Sequence, residues 1–259
     1  MKHSFLLRLC LFSSLFISLY SCGNKKEGFD TEPLTDFMPL EVGKYITYRL
    51  DSLIFADFER VRETHRYQLK LEVAEVFADN EGRPSYRIDR WIRDSAGLGF
   101  WENNGTFYIT PLEDQVEVVE NNLRVIKLHA PFRDGFNWRG NQYLPNEAYE
   151  SFGYAFSNDN SMRNWDFTYN LFDTYFEYNG YEYDDVYTIE QEDYADNVDE
   201  DGDIIAPMQY ANRTKAVERY GRGIGLVYRE YELWEYQPTT RPDPFYIGFG
   251  IRMWMIDHN

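Results

Sequence analysis

The sequence contains only two cysteines among its 259 residues, Cys10 and Cys22, and both lie near the N-terminus. No cysteine follows Cys22, so a disulfide framework cannot hold the body of the chain together. The body also cannot supply a cysteine nucleophile for covalent catalysis. Its stability must therefore come from a packed core.

Positive charge is also scarce, because 26 Lys and Arg residues stand against 44 Asp and Glu residues and give a net charge of -18. Such an acidic surface repels the phosphates of nucleic acids, and this excludes nucleic acid as a partner. The charge is compatible with basic partner surfaces, with divalent cations, or simply with a well-solvated surface.

The one long apolar stretch runs from residue 9 to residue 20 and follows Lys2 and Arg8. This arrangement is typical of a secretory signal, and the apolar stretch is too short to span a bilayer stably. The stretch ends in LYSC, which resembles the lipobox of bacterial lipoproteins. The resemblance implies cleavage before Cys22 and acylation of that residue, for example with palmitate. An ordinary signal peptide with a chance cysteine is the alternative.

The lipobox divides the chain into three parts: residues 1–21 as a lipoprotein signal peptide, residues 22–39 as a tether, and residues 40–259 as one folded domain. The tether segment is polar and contains Gly28, Pro33 and Pro39 without any periodicity. Gly23 and Asn24 follow the cysteine, so the Asp that keeps some lipoproteins in the inner membrane is missing. We therefore expect a lipid anchor in the outer membrane.

Helical periodicity is nearly lacking in residues 40–259, where the apolar residues recur with a period of two. In HRYQLKLEV, for example, His65, Tyr67, Leu69, Leu71 and Val73 lie on one face. Similar segments separated by Gly, Asn, Asp and Pro predict an all-β domain of about ten antiparallel strands. A barrel-like sheet, a strongly curved open sheet and a sandwich all fit this pattern. Brief helices are expected near residues 146–151 and 213–220.

The glycine-rich run GRGIG resembles a phosphate-binding loop at first sight, with Gly221, Gly223 and Gly225 spaced two apart. A dinucleotide loop needs a strand, then G-x-G-x-x-G, then a helix, but here Leu226 occupies the position of the third glycine and a strand pattern follows. No Lys-Ser or Lys-Thr follows either, as a P-loop requires. The run therefore predicts a turn or bulge that leads into a strand.

Several segments resemble an uncharacterised family of β-rich envelope lipoproteins of Bacteroidota. They are PLEVGKYITYRLDS, LHAPFRDGFNWRGNQY, the terminal MIDHN, and ERYGRGIGLVYRE with its Y-x-x-G-x-G-L-V pattern. Together with the lipobox, they extend the resemblance over most of the chain after Cys22. The resemblance implies a β-rich envelope lipoprotein and assigns no catalytic residue.

The segment DNVDEDGDII offers oxygen ligands with the spacing of a Ca²⁺ loop at Asn197, Asp199, Asp201 and Asp203. The twelfth position is Met208 instead of the bidentate Glu, and strands flank the segment. It is therefore either a solvated acidic turn or a candidate Ca²⁺ site, and the sequence indicates no other cofactor.

Aromatic residues make up 18% of the chain, enough to supply both a core and a binding surface. Alternation buries every second aromatic residue of a strand, whereas exposed Trp and Tyr rings stack on sugars or bind protein partners. The candidates for such a surface are Trp101, Trp138, Tyr178 and Tyr181.

Catalytic motifs are lacking, because neither H-E-x-x-H nor G-x-S-x-G occurs. We therefore assign no catalytic residue and expect a binding protein rather than an enzyme. The first hypothesis is an accessory subunit of an outer-membrane complex. The alternatives are a surface glycan-binding protein and a glycan-active hydrolase, whose carboxylate pair depends on the fold.

The lipid anchor gives the first testable prediction. Cys22→Ala removes the acylated thiol, so the protein should leave the membrane fraction, since acyl chains supply its membrane affinity. Fractionation of cells followed by immunoblotting measures this. Cys10→Ala is the control and should stay with the membranes, because Cys10 leaves with the signal. Retention of the Cys22→Ala protein in the membrane fraction would contradict the anchor.

Overall fold

A computed structural model describes residues 32–154, 162–238 and 243–259. The predicted signal peptide, Cys22 and the first part of the predicted tether lie outside the described residues. In these three ranges, none of the helices has the length and apolar character needed to cross a bilayer.

Antiparallel strands dominate the described residues, so the predicted all-β class is confirmed. The strands are β1 (Tyr45–Phe55), β2 (Val61–Ala78), β3 (Pro84–Asp94), β4 (Glu102–Pro111), β5 (Gln115–Glu120), β6 (Leu123–His129), β7 (Asn137–Trp138), β8 (Phe167–Tyr178), β9 (Tyr181–Asp196), β10 (Ala211–Gly221), β11 (Gly225–Gln237) and β12 (Phe245–His258). Short helical segments are α1 (Leu34–Phe37), α2 (Ala56–Glu59) and the 3-10 turns Glu150–Phe152 and Met162–Asn164.

All twelve strands belong to one sheet with the order β6-β5-β4-β3-β2-β1-β12-β11-β10-β9-β8-β7. The sheet thus consists of two runs of hairpins, β1–β6 and β7–β12. Among the described residues, these runs share one ladder, between β1 and β12. The sheet curves into a nearly closed barrel shape, as one of the three predicted alternatives proposed.

The two edges of the sheet meet along a seam between β6 and β7. The Ile126 amide donates a hydrogen bond to the Gly140 carbonyl, and the Trp138 indole donates to the Ile126 carbonyl, both at 2.9 Å. Nearby, the Tyr169 hydroxyl donates to the His129 carbonyl at 2.9 Å. These bonds satisfy backbone groups that a free sheet edge would leave unpaired.

Alternation along the strands fills the interior, as β2 illustrates. Leu69 and Val73 are buried inside the curved sheet, and Leu71 packs against the same core. His65, at the far end of the same predicted face, is exposed. The alternation therefore identifies the inward face correctly, but it does not show where along the strand the core ends.

The segment before β1 packs into the core. Phe37 of α1 is fully buried, with ring centroids 4.7 Å from Phe132 and 5.0 Å from Tyr187. Arg222 holds the same segment through ion pairs to Glu32 and Asp36. The packed region thus begins before the predicted boundary at residue 40, because a few long-range contacts fix a segment that has no periodicity of its own.

The glycine run between β10 and β11 is a turn, as predicted. Gly223 and Gly225 have φ values of 72° and 111°, which glycine adopts without strain. The register of β10 against β11 shifts between Arg219 and Tyr220, so a bulge accompanies the turn. The Gly223 amide donates to the Asp36 carbonyl at 2.6 Å and so binds the segment around α1.

The prediction of a helix at residues 213–220 is wrong, since these residues belong to β10. The sequence RTKAVERY contains good helix formers, but its charges have partners across strands. Arg213 Nη1 lies 2.7 Å from Asp193, and Lys215 Nζ lies 2.9 Å from Glu230. Tertiary pairing therefore overrides the local helix propensity.

Candidate functional site

A cavity of about 230 Å³ lies inside the curved sheet. Most of its wall is apolar, and its side chains come from β1–β6, β10–β12 and the chain around them. The apolar lining residues are Met38, Pro39, Leu40, Ile46, Tyr48, Leu50, Leu69, Leu71, Val73, Ile88, Phe107, Ile109, Val118, Ile224, Leu226, Ile251 and Met253. The cavity also contacts Asn104, which is exposed, so its wall extends to the protein surface.

The wall is apolar because inward positions of adjacent strands align. Ile46 of β1 is opposite Leu71 of β2, and Leu50 of β1 is opposite Met253 of β12. Each of these residues is on the inward side of the alternation, so cross-strand pairs supply much of the apolar wall.

A group of charged and hydroxyl side chains, which we call the Glu218 cluster, lies beside this surface. Lys127 Nζ donates to Glu218 Oε1 at 2.9 Å and to the Tyr231 hydroxyl at 2.6 Å. Arg229 Nε donates to the same Glu218 oxygen at 2.7 Å. The Tyr220 hydroxyl donates to Glu218 Oε2 at 3.0 Å. Lys127, Tyr220 and Arg229 also line the cavity.

The Glu218 carboxylate stays ionised although it is fully buried. Burial alone would raise its pKa, but Lys127 and Arg229 outweigh burial and lower the pKa to about 2. Burial lowers the pKa of Lys127, and the attraction of Glu218 opposes this effect. Burial and the Glu218 charge raise the pKa of Tyr220, so this hydroxyl remains a hydrogen-bond donor.

A second ion pair lies in the wall of the cavity. Arg90 of β3 contacts Glu120 of β5 and also donates from Nε to the Asn104 carbonyl at 2.8 Å. Arg90 and Glu120 both line the cavity, so charged groups lie among its apolar residues at two places.

The predicted aromatic binding residues do not come together. Trp138 is buried in the seam, where its indole donates to the Ile126 carbonyl. Trp101 lies at the β3–β4 connection, where the Arg93 guanidinium is 4.2 Å from its ring centroid. Tyr178 and Tyr181 flank the β8–β9 turn, which is at the opposite end of the strands. The four residues therefore do not form one surface.

The candidate Ca²⁺ loop is organised by its own hydrogen bonds. Asp199 Oδ1 accepts bonds from the amides of Asp201 and Asp203, at 3.0 and 2.8 Å. Asp203 also pairs with Arg62 at 3.3 Å. The Asn197 side chain is bonded to backbone groups of the chain that follows. In the described ranges, no three His, Cys, Asp or Glu residues are arranged to hold a metal ion.

The same loop has a structural role on the outer face of the sheet. Val198 is buried and Ile204 packs beside it over the fully buried Trp234. Arg62 Nη1 donates to the Gly202 carbonyl at 2.6 Å, and the Arg62 guanidinium stacks on the Trp234 ring at 5.3 Å. The acidic loop thus covers a small second core outside the sheet.

The sequence did not identify Lys127, Glu218 and Arg229 as a site. The sequence did contain an indication of this cluster, because each of the three is a charged residue on the inward side of an alternating strand. Arg229, for example, lies between the inward residues Val227 and Tyr231 of β11. Inward charge in a strand indicates a buried polar cluster. Which charges meet across the interior depends on the sheet order.

Comparison with known proteins gives the chain no family. No protein-family model matches it, and no curated protein sequence matches it. The sheet and its cavity define the chain structurally as an all-β protein with an interior, mainly apolar cavity.

Three solved structures are similar over most of the chain. An exported protein with a YmcC-like fold from Bacteroides fragilis is 11% identical, with 85% of this chain and 96% of that chain covered and a TM-score of 0.36. An outer membrane lipoprotein-sorting protein domain from Vibrio parahaemolyticus is 13% identical, with 84% and 85% covered and a TM-score of 0.17. A DUF1329 family protein from Desulfovibrio piger is 8% identical, with 86% and 88% covered and a TM-score of 0.18. The assignment of function therefore rests on this chain's own geometry.

The Glu218 cluster predicts a specific pH dependence of stability. The folded-state pKa of Glu218 is about 2 and its ordinary value is 4.5. Its stabilising effect is therefore complete above pH 4.5 and is lost as the pH falls toward 2. Glu218→Gln leaves two buried cations without their carboxylate, so it should lower the free energy of unfolding by about 3 kcal/mol at neutral pH.

The difference in the free energy of unfolding between wild type and Glu218→Gln should become smaller as the pH falls below 4.5. Urea denaturation at a series of pH values measures it, with Glu113→Gln, at an exposed position, as the control. A difference that stays constant down to pH 2 would show that Glu218 carries no depressed pKa.

Proposed function

We propose that this chain is a lipid-anchored protein of the cell envelope that binds a ligand with an apolar chain inside its sheet. The observation that supports this function is the cavity of about 230 Å³ with its mainly apolar wall. Buried apolar cavities of about 150 Å³ already bind small hydrocarbons. The anchor and the outer-membrane location rest on the signal and lipobox around Cys22.

The energetics of the cavity favour a ligand. The apolar side chains of the wall lack packing partners on the side that faces the cavity, and because the cavity reaches the surface, part of their apolar area is left to water. A ligand that fills the cavity recovers contacts that the wall residues otherwise lack.

Occupation of the cavity can be tested with N-phenyl-1-naphthylamine, a neutral dye that fluoresces in apolar surroundings. The full-length protein, kept soluble in amphipol, should bind the dye saturably. Leu71→Trp places a larger side chain in the cavity wall and should weaken dye binding at least tenfold.

Val76→Trp is the matched control, because Val76 lies on the same strand, is 53% exposed and does not line the cavity. It should bind the dye like wild type. Circular dichroism checks that both variants fold. Equal dye binding by the Leu71→Trp variant and wild type would exclude the cavity as the binding site.

A second function, as an accessory subunit of an outer-membrane complex, is favoured by an exposed apolar tip. Leu98 and Phe100, in the β3–β4 connection, are 89% and 96% exposed. Half-buried Trp101 follows them directly. Adjacent apolar side chains of this size on a surface are typical of protein contact sites.

If the protein is an accessory subunit, the double substitution Leu98→Ser and Phe100→Ser should release its partner. Wild-type protein pulled down in mild detergent should carry a stoichiometric outer-membrane protein, and the double variant should lose it. Phe58→Ser is the control, because Phe58 is 84% exposed at a different connection. An unchanged set of copurifying proteins in the double variant would contradict this role of the tip.

A further inference from the structure

The charge inside the cavity is opposite to the charge of the protein. The whole chain has a net charge of -18. The charged residues lining the cavity are Lys44, Arg90, Lys127 and Arg229 against the single acid Glu120. Because Arg90 is paired with Glu120, the remaining cations are not balanced by an acid in the wall.

The two innermost cations share one carboxylate. Lys127 and Arg229 both contact Oε1 of Glu218, at 2.9 and 2.7 Å. The exposed fraction of the side chain is 9% for Lys127, 16% for Arg229 and 0% for Glu218. Two cations and one anion therefore leave an excess positive charge in a site with little water. Such a charge is costly unless another anion offsets it.

Arg229 retains hydrogen-bonding capacity toward the cavity. Its Nε is bonded to Glu218, whereas its two terminal nitrogens have no hydrogen-bond partner within the described part of the chain. A guanidinium presents its terminal N–H groups in a planar fork that fits the oxygens of a carboxylate or a phosphate. Arg229 is thus placed to bind an anionic group beside the apolar residues of the wall.

The volume limits the size of the apolar part. At about 230 Å³, the cavity lies below the range of roughly 300–1,000 Å³ that is typical of sites for drug-sized ligands. It suits one short or partly inserted hydrocarbon chain better than several chains together.

We propose that the ligand is a single-chain amphiphile with an anionic head group, held by Arg229 and Lys127 through its head and by the apolar wall through its chain. This inference rests on the proposed function, since it specifies the ligand of the same cavity. A carboxylate and a phosphate monoester share the chemistry that the site recognises.

The test compares head groups on one chain length. Decanoate, decyl phosphate and decanol are titrated against full-length wild-type protein in amphipol that carries N-phenyl-1-naphthylamine, and displacement of the dye is measured. At least one of the two anions should bind ten times more tightly than decanol or better. The tighter anion identifies the head group as a carboxylate or a phosphate. Decanol binding as tightly as both anions would overturn the inference.

Variants locate the head group. Arg229→Gln should reduce the preference for the anions over decanol to about one. Arg252→Gln is the matched control, because Arg252 pairs with Glu230 and Glu232 outside the cavity, and it should keep the wild-type preference. If Arg229→Gln fails to fold, the comparison of head groups on wild type still decides the question.

Failure of this inference differs from failure of the proposed function. Saturable binding of the dye and of decanol without any anion preference would refute only the anionic head group. Dye binding that Leu71→Trp does not weaken would refute the cavity as a ligand site, and this inference with it.

Discussion

The packing of the interior depends on the contacts that the Glu218 carboxylate makes with Lys127 and Arg229. Lys127 belongs to the hairpin run β1–β6, whereas Glu218 and Arg229 belong to the run β7–β12. The contact between Lys127 and Glu218 therefore ties the two runs across the interior, away from the ladder between β1 and β12. Removing one member of a buried ionic cluster leaves an uncompensated charge, which typically costs about 3–5 kcal/mol. The cluster thus links the two runs and places polar groups beside an apolar cavity.

Outside the sheet, charged residues have a different role. Arg213, Arg252, Glu230 and Glu232 form cross-strand ion pairs on the outer face of β10–β12. Opposite charges on adjacent strands favour this register over its alternatives. The same residue types thus lie beside the cavity and along the strands of the outer face, and some are well buried on both faces: the side chain of Lys127 is 9% exposed and that of Glu230 is 8% exposed.

The sequence was sufficient to predict the all-β class, the inward face of β2 and the turn at Gly223, because each depends on neighbours along the chain. It predicted a helix where Arg213 lies in β10, since the cross-strand partners that decide the matter are distant in sequence. The cavity was not predictable for the same reason. Its wall combines strands from both hairpin runs, and the excess positive charge appears only when Lys127 and Arg229 meet at one carboxylate.

The ladder between β1 and β12 also has a consequence for the order of assembly. Each hairpin run contains mostly local pairings, which form at low entropic cost. The joining ladder pairs Ile46 with His258 and so links the first strand to the last. A chain that folds from its N-terminus can complete the first run early, but β1 gains its second neighbour only when β12 has formed. Until then, one side of β1 is an unpaired edge and the apolar interior is open, so the unfinished chain needs protection from aggregation until β12 pairs with β1.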